Sequence, residues 1–329
     1  MPTQSNTLDN IVLENVTQRF LDELNAQNAP PLSKLTIEEA RAGHARGQDV
    51  PVVKPPANIQ DRTIAVPANK KLLIRIVRPK GCPGILPAVM YFHGGGFVLG
   101  DRQDWDRLLR DLAHAANAAI IFVEFSRAPE ARYPVAIEEA YAATRWVAEN
   151  GREINVEPTR LAVAGDSAGG NIAAAVTLLA KQRGGPKLDF QVMFYPNTDS
   201  SFSSDSYKQF ASGYFLSRDD MEWFLDQYLP DKSRRSEPTA APLNASLEQL
   251  TGLPPALVVT AECDVLRDEG EAYARKLMEA GVQVTATRYL GTIHGFVTLN
   301  RLAYTPAARS AIMQVGSVLE NVWKVAPSV

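Results

Sequence analysis

Apolar residues recur along this chain with two distinct periods. Near the N-terminal end Leu8, Ile11, Val12, Val16, Phe20 and Leu24 stand at helical spacing with polar residues between them, which predicts an amphipathic helix over 8–24. Pro30 and Pro31 stop it. Thr36, with Glu39 three positions on, resembles a capping box and opens a second helix running to about Gly47. A Pro-rich connector occupies 50–58. From there the apolar runs become short and nearly continuous. Ile59–Val66 and Lys71–Arg78, separated by Pro67-Ala68-Asn69, predict an antiparallel pair. Leu86–Phe92, Ala119–Phe125, Leu161–Ala164, Phe190–Tyr195, Ala256–Ala261 and Val282–Tyr289 predict further strands. Helical patterns fall between and after them, over Trp105–Ala116, Val135–Glu149, Ala168–Ala180, Glu269–Ala280 and Pro306–Val322.

Apolar strands alternating with helices predict an α/β protein with a mostly parallel, eight-stranded sheet covered on both faces. Residues 200–250 break the rhythm. Their aromatic and charged part, over 200–235, is too long for a structureless loop in a compact domain and predicts an inserted helical segment. The last strand, Val282–Tyr289, falls at a sheet edge with alternating apolar residues, so the chain is expected to be a monomer or a homodimer paired across that edge.

Composition narrows the class. The chain has 329 residues, 45% apolar and 22% charged, with a formal net charge of −3, as in an ordinary globular enzyme. Acidic and basic residues are interspersed, which gives no footprint for nucleic acid. No basic segment followed by an apolar core opens the chain. No run approaches the roughly 20 apolar residues that span a bilayer, so no stable membrane association is expected. Cys82 and Cys263 make no disulfide framework and have no metal-ligand spacing. A cytoplasmic protein without metal or cofactor is the expectation.

The chemistry concentrates in LAVAGDSAGGNIAAA, residues 161–175. An apolar strand turns at once into a helix through Gly165-Asp166-Ser167-Ala168-Gly169. Such a turn forces its central residue into a strained conformation, and flanking glycines remove the side chains that would clash. The hydroxyl of Ser167 would stand at the carboxyl end of a strand and the amino end of a helix, where a nucleophile and a developing anion are both served.

A serine nucleophile needs a base. Of the four histidines, His44 and His114 lie within predicted helices and read as solvated or capping residues, while His294 sits in a loop just past the last strand. Open α/β sheets place their sites at such strand ends, so His294 is the candidate base. Its imidazole needs a carboxylate to fix the tautomer. Asp264, after the strand ALVVTA, and Asp199, after MFYPNT, both satisfy the chain order Ser, Asp, His. The longer apolar run before Asp264 favours it without deciding the matter. His93-Gly94-Gly95-Gly96-Phe97, after PAVMYF, leaves backbone N–H groups open to a ligand oxygen; one such donor is worth about 3 kcal/mol in the transition state.

Together, His93-Gly94-Gly95-Gly96-Phe97 and Gly165-Asp166-Ser167-Ala168-Gly169-Gly170-Asn171 resemble the hormone-sensitive-lipase-like family of α/β-hydrolases. The resemblance runs from about residue 58 to the end and includes Tyr195-Pro196, Asp264-Val265-Leu266-Arg267-Asp268-Glu269-Gly270 and His294-Gly295-Phe296. It implies an α/β-hydrolase fold and a serine carboxylesterase acting on short-chain, small-molecule esters through an acyl-enzyme. By the same resemblance Ser167 is the nucleophile, Asp264 (not Asp199) the acid and His294 the base. The N–H groups of Gly95, Gly96 and Ala168 form the oxyanion hole, Gly94 shapes the loop, and His93 positions it. Relatives of this fold that bind without turnover lack the base histidine, which is present here.

One departure stands out. Where relatives read Asp-Tyr-Arg-Leu-Ala-Pro-Glu, this chain has Glu124-Phe125-Ser126-Arg127-Ala128-Pro129-Glu130. The resemblance also implies a helical cap, here residues 1–55 and 200–235, over a catalytic domain formed by 56–199 and 236–329. Phe202, Tyr207, Phe210, Tyr214, Phe215 and Trp223 are candidates either to wall the substrate pocket or to pack the core of the cap.

Overall fold

The apolar runs become strands of one sheet. In the computed structural model, which describes residues 11–67 and 70–324, these are β1 (Ala57–Val66), β2 (Lys70–Pro79), β3 (Leu86–Phe92), β4 (Ala119–Glu124), β5 (Val156–Asp166), β6 (Phe190–Phe194), β7 (Ala256–Cys263) and β8 (Val284–Ile293). Their order is β1-β2-β4-β3-β5-β6-β7-β8. Only β2 runs against the rest, pairing antiparallel with β1 and β4. The remaining pairs are parallel. Every residue of β3 is buried, as an unbroken apolar strand must be when helices cover both faces.

The helices follow the predicted rhythm: α1 (Asn15–Ala26), α2 (Ile37–Gln48), α3 (Asp106–Ala116), α4 (Val135–Asn150), α5 (Ala168–Gln182), α6 (Asp205–Gln209), α7 (Arg218–Tyr228), α8 (Leu247–Leu250), α9 (Arg267–Glu279) and α10 (Pro306–Lys324). Around the sheet, α3 packs with α10, and α4 with α5. None of the described helices is long and apolar enough to cross a membrane.

Three expectations need correction. The first helix begins at Asn15 and not at residue 8, because the Glu14 N–H donates to the Gly291 carbonyl at 3.0 Å and its carboxylate caps Thr17. Leu8 and the Ala68-Asn69 part of the first turn lie outside the described residues. Strand β8 runs on to Ile293, so it delivers His294 directly and not through a loop. Strand β5 likewise runs without a break into Asp166, one residue before Ser167. The capping box at Thr36 and Glu39 is formed as predicted.

Between β6 and β7 the inserted stretch forms α6 and α7, the latter opened by a second capping box at Ser217 and Asp220. The leading helices meet this stretch. Phe20 of α1 lies 5.8 Å, ring to ring, from Phe215, and Asn25 donates to the Gly213 carbonyl at 3.3 Å.

Candidate active site

Four parallel strands end on one side of the sheet, and each delivers one part of the site. Strand β5 ends at Asp166, and Ser167 turns the chain into α5 with φ 55° and ψ −119°. That conformation is costly for a residue with a side chain and persists only where its surroundings over-determine it. Here they do. A Cβ on Gly165 would come within 2.1 Å of the Gly169 carbonyl oxygen, and one on Gly169 within 1.9 Å of the Phe92 carbonyl oxygen. Only glycines let the strand and helix close this tightly. The Ser167 N–H is tied to the Phe194 carbonyl at 2.9 Å.

His294 follows β8 and Asp264 follows β7. The Asp264 Oδ2 accepts from His294 Nδ1 at 2.7 Å, and His294 Nε2 lies 3.0 Å from Ser167 Oγ. All three side chains are buried. The other Asp264 oxygen accepts from the Leu266 N–H at 2.9 Å, which leaves the carboxylate one orientation. Asp199 has no part in this: its carboxylate accepts from Ser201, and its N–H donates to Glu269.

After β3, the Gly94 N–H donates to Asp166 at 3.1 Å. Among the described residues, the N–H groups of Gly95, Gly96 and Ala168 donate to no protein group. A hydroxyl in contact with an imidazole, an imidazole fixed by a carboxylate, and three free donors nearby are the parts that acyl transfer requires. Residues 89–298 match the family model for the alpha/beta hydrolase fold. The chain belongs to that family.

The carboxylesterase NlhH of Mycobacterium tuberculosis is 40% identical to this α/β-hydrolase over 279 residues, spanning 84% of this chain and 86% of its own. An ethyl acetate hydrolase of Pseudomonas putida is 36% identical over 279 residues, spanning 83% and 86%. The crystal structure of a thermostable esterase from Pseudomonas putida ECU1011 superposes with a TM-score of 0.93 at 49% identity, covering 94% of this chain and 97% of that one. The motif resemblance holds: this α/β-hydrolase is a carboxylic ester hydrolase of the hormone-sensitive-lipase-like type.

Several buried residues that the sequence left without a role hold the α/β-hydrolase site in place. Asp166 Oδ1 accepts from Tyr91 Oη at 2.8 Å and the Trp105 indole at 2.9 Å, besides Gly94. Burial pushes this carboxyl up to about 6, against the hydrogen bonds from Tyr91 and Trp105. The fully buried Arg107 of α3 donates to the carbonyls of Val297 and Thr298 and to Asn300, all in the turn after His294. Gln48, at the end of α2, bonds the same turn through the Thr298 carbonyl and both the backbone and side chain of Asn300. Nothing in the spacing of Arg107 or Gln48 signals this, because each acts on a segment far along the chain.

His93 stacks on Phe125 with ring centroids 4.2 Å apart, and its Nδ1 lies 2.9 Å from the Gly94 carbonyl. Burial, reinforced by Arg127, pushes its imidazole down to about 3, so it is neutral at physiological pH. The departure at 124–130 therefore supplies the stacking partner of His93. Its charges find other partners: Glu124 meets Arg102, and Glu130 is held bidentate by Arg41 of α2. His44 corrects an expectation. It is largely covered, stacked on Trp105 at 5.5 Å, and burial pushes it down to about 4. His114 is exposed and bonds the Pro56 carbonyl at 2.7 Å.

Above Ser167 lies a cavity of about 10 Å³, room for about one water. Met221, Phe224 and Leu225 of α7 line it, with Phe97, Asn197 and Phe202. Of the six cap aromatics, only Phe202 reaches this cavity. Tyr207 and Phe210 are fully buried, and Phe215 packs against Gly295 beside His294. The three α7 residues were missed, although their i, i+3, i+4 spacing marks one helix face.

Proposed function

We propose that this carboxylesterase hydrolyses short-chain esters of small molecules through an acyl-enzyme on Ser167, with His294 as base and Asp264 as its orienting carboxylate. His294 Nε2 takes the hydroxyl proton as Ser167 Oγ attacks the ester carbonyl carbon. The N–H groups of Gly95, Gly96 and Ala168 receive the oxyanion. As the tetrahedral intermediate collapses, the bond to the alcohol oxygen breaks, and the alcohol leaves with the proton from His294. Water then repeats the attack, releasing the carboxylic acid and restoring Ser167. The Asp264 carboxylate stabilises the imidazolium formed in each half and is not itself protonated.

The observation that carries this reading is the unbroken pair of contacts, 3.0 Å from Ser167 Oγ to His294 Nε2 and 2.7 Å from His294 Nδ1 to Asp264. Short acyl groups are favoured by the 10 Å³ cavity beside Ser167, since a larger group must displace more of the side chains around it. Residues 1–55 and 200–235 are read as one cap over a catalytic domain of 56–199 and 236–329, a division supported by the contact of Phe20 with Phe215. Ser167→Ala should lower kcat on p-nitrophenyl acetate by about 10⁴-fold or more with an unchanged circular dichroism spectrum. Activity near the wild-type rate in that variant would sink the assignment.

A further inference from the structure

The leaving alcohol must collect its proton from His294, so it departs on that side of Ser167. The cavity touches Ser167, Ala168 and Gly96 but is not lined by His294. It is therefore the acyl side of the site. A second space, an open basin of about 440 Å³ walled by Glu222, Asp226, Lys232 and Arg235 with Ser200 and Ser236, shares one lining residue with it. Helix α7 separates the two by its periodicity: Met221 and Leu225 face the cavity, and Glu222 and Asp226 face the basin.

Among the described residues, Phe202 alone lines both spaces. It precedes α6 and is half-buried, with its ring edge-on to Tyr207 at 5.5 Å. Its φ of 53° is left-handed, a region in which a bulky side chain is strained. Phe97, Tyr195 and Phe215 share that region, and what sets Phe202 apart is its place lining both the cavity and the basin.

We propose that Phe202 is the end wall of the acyl pocket and sets the longest acyl chain the enzyme accepts. This rests on Ser167 being the nucleophile. A short acyl group stops at the ring, whereas a longer one must push through it to reach the basin. With the wall gone, the chain emerges among water and charged side chains, which neither grip nor exclude it. The gain for long chains is thus relief of exclusion and not added affinity.

The test compares kcat/KM for p-nitrophenyl butyrate and octanoate in the wild type, Phe202→Ala, Phe202→Gly and Phe215→Ala, with Ser167→Ala alongside. Glycine adopts the left-handed φ without strain, so Phe202→Gly guards against a folding defect in the alanine variant, and thermal midpoints are read for both. The octanoate-to-butyrate ratio should rise roughly tenfold or more in both Phe202 variants. It should stay at the wild-type value in Phe215→Ala, whose missing ring lies on the His294 side. An unchanged ratio in folded Phe202→Gly would overturn the wall, as would an equal rise in Phe215→Ala. Ester hydrolysis surviving in Ser167→Ala would instead refute the nucleophile reading on which the wall depends.

Discussion

Below Ser167 the site is held by directed polar bonds, and above it by shape. The floor fixes its parts with donors and acceptors of definite geometry: Asp264 takes one bond from His294 and one from Leu266, and Asp166 gathers Tyr91, Trp105 and Gly94 on one oxygen. The roof meets the same space with Met221, Phe224, Leu225 and Phe202, none of which offers a polar side-chain group. A floor of this kind tolerates no change of geometry, because a misplaced donor loses its bond entirely. A roof of packed apolar groups can repack at modest cost. With the roles proposed for Ser167, His294 and Phe202, the chemistry belongs to the floor and the choice of ester to the roof.

The largest effect that tests this contrast comes from the floor. Asp264→Asn keeps the size of the side chain but no longer enforces the His294 tautomer that accepts from Ser167. It should lower kcat by about 10⁴-fold, with KM for p-nitrophenyl acetate little changed because the roof is untouched. Asp199→Asn should leave kcat near the wild-type value, since its carboxylate faces Ser201 and not His294. A comparable loss in Asp199→Asn, with Asp264→Asn mild, would reverse the assignment.

The same contrast explains what the sequence disclosed. The floor is written in contiguous motifs because each sharp turn fixes several neighbours at once. Gly165 to Gly169 must read as it does if strand and helix are to close, and Asp264 and His294 stand directly after apolar strands. The strands were legible as well, from a continuous apolar run at β3 and from alternation at the sheet edge in β8. The roof is not written contiguously. Phe202 and Phe224 reach one cavity from 22 positions apart in the insertion, and only the fold brings them together. Arg107 and Gln48 were hidden for a related reason: a buried side chain that steadies a turn 190 or 250 positions away leaves no local pattern. His44 reads from its helix as a solvated or capping residue, yet Trp105, far along the chain, stacks on it and covers it.

A smaller effect is expected where the two halves touch. A methyl on Gly96 would lie 2.2 Å from the Phe224 ring, and its φ of +61° already disfavours a side chain. Gly96→Ala should therefore misplace one oxyanion donor, lowering kcat by about 10²-fold. Adding Phe224→Ala removes the clash and leaves the strained φ, so the double variant should recover part of the loss. Full loss in both would assign the effect to the backbone alone. A Gly96→Ala enzyme within a few-fold of wild type would show that this donor is dispensable.

The smallest effect concerns stability, and it separates floor from roof by pH. Glu269 of α9 is fully buried under the site, where one oxygen accepts from Asn197, Thr198 and Asp199. Burial pushes its carboxyl up from 4.5 to about 8, against the donors of Thr198 and Asp199. Between those two values the folded chain holds a proton that the unfolded chain has released, so this group's contribution to stability falls as pH rises across that window. Gln offers the same accepting oxygen and cannot ionise. Raising the pH from 5 to 8 should therefore lower the thermal midpoint of the wild type more than that of Glu269→Gln, by on the order of a few degrees. Parallel curves would mean that Glu269 is not held protonated by its surroundings. Phe202→Gly, by contrast, removes no ionisable group from the roof and should leave the pH dependence of stability unchanged, while it alters which esters are cleaved.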